Sequence, residues 1–281
     1  MLTKIKKLIP LKLFRALQTP YHYLMNLAAA LVYRFPANKL IVIGVTGTTG
    51  KTSVVYLIAK ALEANGYKVG YTSTAQFSDG SKEWLNDKKM TMVDGFFTQR
   101  LIRQMFKNAC QYAIIETTSE GIKQWRHTFI NYDVLVFTGL YPEHIEAHGS
   151  FEKYKITKGE LFKHLKNCHT KYINDKKIVC RPKSQLKKLD FQRVKKTIIV
   201  NGDDDQAPYF LSFWSESKFI YSALAWESRA KAARHFRLDP TTSDWELIPY
   251  GDIKADLAGT EFIIDQQPLK LKLLGDFNAQ N

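Results

Sequence analysis

The sequence predicts an α/β protein built on a doubly wound, mostly parallel sheet, followed by a small β-rich flank at the C-terminal end. Three observations predict it. From about residue 39, apolar runs of strand length alternate with amphipathic runs of helix length. A glycine-rich turn joins the first of these strands to the first helix. After about residue 218, the pattern changes to short strands separated by turn residues.

Length and composition restrict the class of protein. The chain has 281 residues, of which 45% are hydrophobic and 24% are charged, as in a soluble globular protein with a full core. Three scattered cysteines exclude a disulfide scaffold or a zinc site, and they fit the reducing cytosol. The basic N-terminus lacks the apolar core of a signal peptide. The longest apolar run, residues 24–33, is far below the roughly 20 residues of a spanning helix, so we expect no integral membrane protein.

The net charge of +14 is concentrated in two segments. Residues 1–40 contain seven Lys and Arg and no acid, and residues 151–200 contain fifteen against four acids. Nucleic-acid binding would require aromatic residues among the basic ones, but segment 171–196 has only Tyr172 and Phe191. We therefore expect no nucleic-acid partner. A solvated lysine-rich insertion is the favoured interpretation of this segment, with a surface for an anionic partner as the alternative.

Residues 1–38 are predicted to form a separate basic, amphipathic segment. Short helices broken near Pro10 and Pro20 and closed by Pro36 fit its pattern. Two interpretations remain open. The segment packs against the main domain, which is favoured, or it lies as a basic interfacial helix on an anionic membrane surface.

The elements of the main region, residues 39–281, are predicted from periodicity and caps. Strands rich in apolar residues are expected at 40–46, 68–73, 112–116, 133–138 and 197–201. Helices are expected at 51–65, 94–108 and 151–165, with Gly66 capping the first. The C-terminal strands are expected at 219–222, 235–238, 245–249, 261–265 and 269–273, with turns at 239–240 and 250–252.

The glycine-rich turn is the most specific local motif, and it predicts a phosphate-binding loop (P-loop). It consists of Gly47, Thr48, Thr49, Gly50, Lys51, Thr52 and Ser53. Backbone N–H groups in such a turn and at the following helix N-terminus bind phosphates. Lys51 would reach the β- and γ-phosphates, and the Thr52 hydroxyl would bind Mg²⁺. Val45 replaces the first glycine of the longer form of this motif.

Further candidates for metal chemistry follow the predicted strands. Glu116 ends one strand, so its carboxylate emerges at the edge of the sheet where α/β sites form. His144 and His148 follow the next strand, and Lys158 lies in the middle of a predicted helix. Each of these residues also has an ordinary interpretation: a strand-end acid, a loop histidine and an exposed helix lysine.

Several motifs occurring in one order give the sequence a family resemblance. The stretches that carry it are 47–53, 116–126, 137–149, 154–158 and 274–281. Together they resemble the Mur ligases of peptidoglycan synthesis, and within that family the synthetase that adds the third residue of the stem peptide to a UDP-N-acetylmuramoyl peptide. The resemblance covers residues 39–281, which would be the central ATP-binding domain. This segment departs from the family pattern at Gly139, Glu143, 91–93 and 118–120.

The resemblance implies roles for individual residues. Lys51 and Thr52 would bind the ATP phosphates and a first Mg²⁺ ion, with Glu116 as a carboxylate ligand. His144 would bind a second Mg²⁺ ion, and Lys158 would be carbamylated by CO₂ to become an anionic ligand. Asn278 and Asn281 would contact the adenine. The residues that would hold the UDP-muramoyl substrate are Thr91, Thr118, Gln124 and Arg126.

The implied activity is ATP-dependent ligation of a carboxylate to an amine through an acyl phosphate, adding an amino acid to a UDP-muramoyl peptide. This would make the chain a cytoplasmic enzyme of cell-wall synthesis, and hence of cell shape and division, with a peripheral position at the inner membrane face as a further option. Alternatives are a related ligase with another substrate (folate polyglutamylation, cyanophycin-type chemistry or amidation of a lipid-linked muramoyl peptide) and a non-catalytic ATP-binding module. Residues 1–38 stand where the family has a uridine-binding domain, and the sequence ends before the family's C-terminal domain.

Overall fold

The computed structural model describes residues 11–143, 149–174, 177–179, 191–236, 245–256 and 258–272, with the backbone alone for 11–17, 177–179 and 229. The helices are α1 (Leu11–Val32), α2 (Lys51–Ala64), α3 (Gly95–Lys107), α4 (Ser119–Lys123), α5 (Phe151–Leu165), α6 (Ala207–Leu211), α7 (Ala223–Glu227) and α8 (Arg229–His235). A single 3₁₀ turn, Pro36–Lys39, connects α1 to the first strand.

Fourteen strands are formed by the described residues. They are β1 (Ile41–Thr46), β2 (Val69–Thr72), β3 (Gln76–Ser78), β4 (Glu83–Leu85), β5 (Tyr112–Glu116), β6 (Val134–Phe137), β7 (Lys171–Asn174), β8 (Lys177–Val179), β9 (Gln192–Val194), β10 (Thr197–Asn201), β11 (Ser217–Ser222), β12 (Trp245–Asp256), β13 (Gly259–Ile264) and β14 (Gln267–Leu271).

Eleven of these strands form one sheet, in the order β14-β13-β12-β11-β10-β6-β1-β5-β2-β3-β4. From β12 to β2 each neighbouring pair is parallel, and the outer strands on both sides pair antiparallel. The predicted α/β, doubly wound, mostly parallel fold is confirmed. After β1, the chain forms β2 to β5 on one side of β1, and it then crosses to the other side of β1 to form β6. The strand order therefore reverses between β1 and β6, and ligands of such sheets bind at the carboxyl ends of those strands.

Both faces of the central strands are covered, which explains their continuous apolar runs. In β1, Val42 faces the core beneath α3 and α5, whereas Ile43 and Val45 face the core beneath α2. The strand at Tyr112–Glu116 has the predicted bounds. Gly66 adopts a φ of +82° just past α2, as expected of a C-terminal glycine.

The N-terminal segment differs from its prediction. Instead of short helices broken at Pro20, one 22-residue helix runs from Leu11 to Val32. Proline removes one backbone donor from a helix, but Pro20 is exposed, so water can satisfy the freed carbonyl. Within the described residues, none of the helices combines the length and the apolarity that crossing a lipid bilayer requires.

The C-terminal region also differs in detail. The expected β-rich flank continues the main sheet, because β12 pairs parallel with β11 before it turns into the antiparallel hairpin strands β13 and β14. The residues expected to form a turn, 250–252, instead belong to β12, whose pairing with β13 shifts register between Gly251 and Lys254. The prediction of a strand at 235–238 is wrong at its first residue. His235 is the last residue of α8, a helix capped by the Ser228 hydroxyl.

The lysine-rich segment is not simply a solvated insertion. Its described parts form a three-stranded sheet, in the order β8-β7-β9. Lys171 and Lys196 have exposed fractions of only 0% and 2%. Both ammonium groups bind the buried carboxylate of Asp133, at 2.5 and 2.8 Å. This ion-pair cluster lies at the amino ends of the central strands, the opposite edge from the predicted site.

Candidate functional site

The predicted phosphate-binding loop lies at the carboxyl end of β1, where the strand order reverses. Gly47 is required there by its φ of +157° and by space, because an added Cβ would come within 2.0 Å of the Thr138 hydroxyl. Gly50 has a left-handed φ of +78° and directly precedes the first turn of α2. The loop therefore directs the free N–H groups of a helix N-terminus at the sheet edge, which is an arrangement suited to an anion.

The segment that follows β6 holds the loop from one side. The Thr48 N–H donates to the carbonyl of Gly139 at 2.8 Å. The Thr138 hydroxyl donates to the carbonyl of Thr49 at 2.6 Å, and the Tyr141 N–H donates to the Thr48 hydroxyl at 3.0 Å. Two adjacent strand ends are thereby tied together, so the backbone of the loop is fixed before any ligand arrives.

Lys51 begins α2 and folds back over the loop. Its ammonium donates to the carbonyl of Thr48 at 2.7 Å. Burial lowers the pKa of Lys51, while the negative charges of Glu116 and Glu143 oppose that shift. A bound polyphosphate would supply the negative charge that this partly desolvated cation lacks. Ser53, the last residue of the motif, is half-buried in the first turn of α2.

Glu116 and Thr52 form the best candidate metal position. Glu116 is 1% exposed, and its Oε2 accepts from the Thr52 hydroxyl at 3.0 Å. Thr74 donates to the same carboxylate through its N–H (2.7 Å) and its hydroxyl (3.0 Å). In the part of the chain that the structure describes, no group of three His, Cys, Asp or Glu side chains is arranged to hold a metal. Mg²⁺ is commonly bound by one or two carboxylates together with phosphate and water oxygens, so this oxygen pair fits it.

Lys158 lies close to the loop and is not the exposed helix lysine of the ordinary interpretation. Its side chain is 1% exposed, and its Nζ donates to the carbonyl of Gly47 at 2.8 Å. The same nitrogen lies 4.8 Å from the centre of the Tyr154 ring. Burial, and secondly the charge of Lys51, holds the pKa of Lys158 well below its usual value. The side chain is therefore a buried amine beside the phosphate-binding loop, and its surroundings disfavour the protonated form.

The four predicted substrate residues lie along one path that leads from Glu116. The hydroxyl oxygens of Thr91 and Thr74 lie 2.9 Å apart, so Thr91 is one hydrogen-bonded residue removed from the carboxylate. The guanidinium of Arg126 donates to the carbonyl of Met92 and to the side chain of Gln124. Burial lowers the pKa of Arg126, opposed by the charges of Asp94 and Glu120. Thr118 caps α4 by accepting from the Gly121 N–H at 3.1 Å.

Three of the predicted site residues, His144, Asn278 and Asn281, lie outside the described residues, as does His148. The structure also adds residues that sequence reasoning missed, notably Thr74, Thr138 and Asp204. The Asp204 carboxylate accepts from the Leu140 N–H at 2.6 Å, which fixes the segment that supports the loop. Polar residues directly after the predicted strands were the available signal, since such residues converge at one sheet edge.

Comparison with known sequences supports this arrangement. Residues 45–207 match the family described as the Mur ligase middle domain. The chain is 30% identical over 259 residues to the UDP-N-acetylmuramyl-tripeptide synthetase of Roseiflexus sp. (strain RS-1), covering 90% of this chain and 44% of that protein. It is 39% identical to the synthetase of the same name from Treponema pallidum (strain Nichols), over 50% of this chain and 26% of that protein. The chain thus spans less than half the length of these curated relatives.

Solved structures give the same fold. A UDP-N-acetylmuramoyl-L-alanyl-D-glutamate–2,6-diaminopimelate ligase superposes with a TM-score of 0.59 and 21% identity, over 86% of this chain and 41% of that one. The folylpolyglutamate synthetase from Lactobacillus casei superposes with a TM-score of 0.52 and 14% identity, over 91% of this chain and 58% of that one. At such identities the likeness concerns the fold alone.

Proposed function

This chain belongs to the Mur ligase family, and on that premise we propose that it is the nucleotide-binding part of an ATP-dependent ligase that joins a carboxylate to an amine. The observation that carries the proposal is the meeting of three groups at the carboxyl ends of two neighbouring strands, β1 and β5. Lys51 and Thr52 begin α2 directly after the glycine loop, and the Thr52 hydroxyl lies 3.0 Å from the buried carboxylate of Glu116. A cation, a hydroxyl and a carboxylate in that order suit the phosphates and Mg²⁺ of ATP.

The residues of the loop would act by position and charge. The N–H groups of the loop that have no backbone acceptor, and those of the first turn of α2, would bind the phosphates, and Lys51 would approach the β- and γ-phosphates once it leaves the Thr48 carbonyl. Thr52 and Glu116 would hold one Mg²⁺ ion, which supplies positive charge to the phosphate oxygens. The carboxylate of the substrate attacks the γ-phosphorus to form an acyl phosphate and ADP. The amine of the incoming amino acid then displaces phosphate, and an amide remains. No side-chain nucleophile is needed.

Lys158 and His144 complete the proposed metal chemistry. A second Mg²⁺ ion would be bound by His144 and by Lys158 as its carbamate. Carbamylation requires an unprotonated amine, and the lowered pKa of Lys158 supports it. Carbamylation would replace the contact between Nζ and the Gly47 carbonyl with an anionic group beside Lys51. Asn278 and Asn281 are proposed to contact the adenine.

The proposed substrate is a UDP-N-acetylmuramoyl peptide, to which an amino acid is added in the cytoplasm as part of cell-wall synthesis. The names of the tripeptide synthetases that the chain resembles support this choice. Thr91, Thr118, Gln124 and Arg126 would bind it, with the half-buried guanidinium of Arg126 facing its phosphate or carboxylate groups. A cytoplasmic location also fits Cys110 and Cys168, which are both free thiols.

Nucleotide binding is the direct test. We expect Lys51→Ala to weaken binding of Mg-ATP at least about tenfold in titration calorimetry, because the cation nearest the phosphates is lost. The matched control is Lys60→Ala on the same helix, where the lysine pairs with Glu63 and Glu83 away from the loop. Both variants should keep the far-UV circular dichroism of the parent chain. Equal affinities for Mg-ATP in the parent and in Lys51→Ala would contradict the proposal.

A further inference from the structure

Helix α1 carries apolar side chains on two faces. The inner face, with Asn26, Ala29 and Ala30 buried, packs against α3. The outer face consists of large apolar side chains at separations of three, four and seven residues, which place them on one side of the helix. They are Tyr21 (58% exposed), Leu24 (60%), Met25 (39%), Leu31 (58%) and Val32 (64%). We call these five residues the outer stripe.

The orientation of the stripe is fixed by contacts of the opposite face. The Asn26 amide donates to the carbonyl of Gln124 at 2.9 Å. The ring of Tyr23 meets the rings of Trp125 and Phe129 edge to face, with centroids 5.8 and 5.2 Å apart. Because these contacts hold one side of α1 against the domain, the outer stripe faces away from the core as a feature of the folded chain. Adjacent large apolar residues exposed in this way mark an interaction surface.

The charge of the same segment indicates what covers the stripe. Residues 1–40 contain seven Lys and Arg and no Asp or Glu. A second copy of this chain would bring two such segments together, and their like charges would repel. An anionic lipid surface offers both an apolar layer for the stripe and negative headgroups for the basic residues.

We propose that the outer stripe of α1 lies in the plane of an anionic phospholipid membrane surface, with the apolar side chains at the boundary of the acyl chains. The stripe covers about 18 Å of helix at 1.5 Å per residue, enough for a peripheral contact. This arrangement would hold the edge of the domain that carries Gln124 and Trp125 next to the membrane. The inference does not depend on the proposed ligase activity.

Vesicle co-sedimentation tests the proposal. The probes are mixed phosphatidylglycerol–phosphatidylcholine vesicles and pure phosphatidylcholine vesicles. The chain should bind the mixed vesicles, and high salt should weaken the binding. In the double variant Leu24→Glu/Leu31→Glu, we expect the partition coefficient to fall at least about tenfold, since two charges enter the apolar contact. The control is Leu85→Glu, which places one such charge on a residue 77% exposed in β4, outside the stripe, and should bind as the parent does.

Three further measurements keep the result interpretable: Mg-ATP affinity, melting temperature and sedimentation velocity. All three proteins should retain Mg-ATP affinity and melting temperature, because the altered side chains are exposed. Failure of ATP binding in the parent would bear on the proposed function alone.

The inference is overturned if the parent does not bind the mixed vesicles, if it binds both vesicle types equally, or if the double variant binds like the parent. It is also overturned if sedimentation velocity shows a dimer that the double variant abolishes while vesicle binding persists, because the stripe would then join two copies.

Discussion

Two regions with buried lysines lie at opposite edges of the same sheet, and they differ in the groups that surround the lysine ammonium. At the amino edge, Lys171 and Lys196 share the carboxylate of Asp133. At the carboxyl edge, Lys158 has a carbonyl oxygen and an aromatic face as its described partners. All three lysines are at most 2% exposed. Burial alone therefore does not distinguish a structural lysine from one available for chemistry.

The amino-edge cluster has its hydrogen-bonding groups satisfied. Lys171 also donates to the carbonyls of Leu40 and Asn131, both at 2.7 Å, and Lys196 donates to the carbonyl of Tyr132. The Asp133 carboxylate additionally accepts from the Val42 N–H at 2.9 Å. These contacts join β1, β6, β7 and β10, so the cluster attaches the small sheet to the large one. Groups buried in this way are costly to separate but inert.

The carboxyl-edge lysine lacks such compensation. In the ranges that the structure describes, no carboxylate lies within ion-pair distance of Lys158, and the charge of Lys51 lowers its pKa further. Burial without a counter-ion disfavours the charged ammonium, which is the main cause of the lowered pKa of Lys158. The comparison teaches that two lysines buried to the same degree can differ in their compensation: Lys171 has a carboxylate partner, whereas the described partners of Lys158 are a carbonyl oxygen and an aromatic ring.

The largest effect is expected from removing the shared carboxylate. Asp133→Asn keeps the shape but leaves two buried ammonium groups without a counter-ion, so we expect a loss of about 3–5 kcal/mol in the free energy of unfolding. Urea unfolding measures it. Glu160→Ala, which breaks the exposed pair with Lys163, is the control and should cost less than about 1 kcal/mol. Equal losses in the two variants would remove the distinction between the paired cluster and an ordinary surface pair.

The next effect concerns Lys158 and turnover. In a protein that also contains the amino-acid-binding part of the family, Lys158→Ala should lower turnover by about 100-fold while Mg-ATP affinity is retained, because a metal ligand is lost but the loop remains. Phosphate release and calorimetry measure the two quantities. Added bicarbonate or a short carboxylate should restore part of the rate by replacing the lost oxygen ligand. Normal turnover in Lys158→Ala would show that the two-metal mechanism does not apply to this protein.

The smallest effect is the pH dependence of stability. The pKa of Lys158 is lowered in the folded chain, so between that pKa and the ordinary 10.5 the unfolded chain binds more protons. The free energy of unfolding should therefore rise with pH in this window, by at most about 1.4 kcal/mol per pH unit from one group. Lys158→Met should reduce the slope between pH 7 and 10. Lys171 also has a lowered pKa, so only the difference between parent and variant reports Lys158. An unchanged slope would mean that Lys158 stays charged.

The central strands and the phosphate-binding loop could be predicted from the sequence because their signals are local. Apolar runs of strand length, a glycine next to a helix start and a C-terminal glycine such as Gly66 each depend on neighbours in the chain. The strand at 112–116 and the helix at 151–165 accordingly have their predicted bounds. The N-terminal helix was predicted less well, because the effect of Pro20 depends on whether its side of the helix is solvated.

What the sequence determined by itself was the order of the elements, the position of the loop and the types of residue that converge on it. Which lysines are buried, and with what partner, was decided only by the tertiary structure. Lys171 and Lys196 belong to a segment whose composition favours solvation, yet they bind Asp133 from 38 and 63 residues away. Such pairings depend on how distant strands align at one edge of the sheet. Whether the charged form of a buried lysine is favoured depends on the groups that surround it at that edge of the sheet. The neighbouring residues in the sequence do not specify those groups.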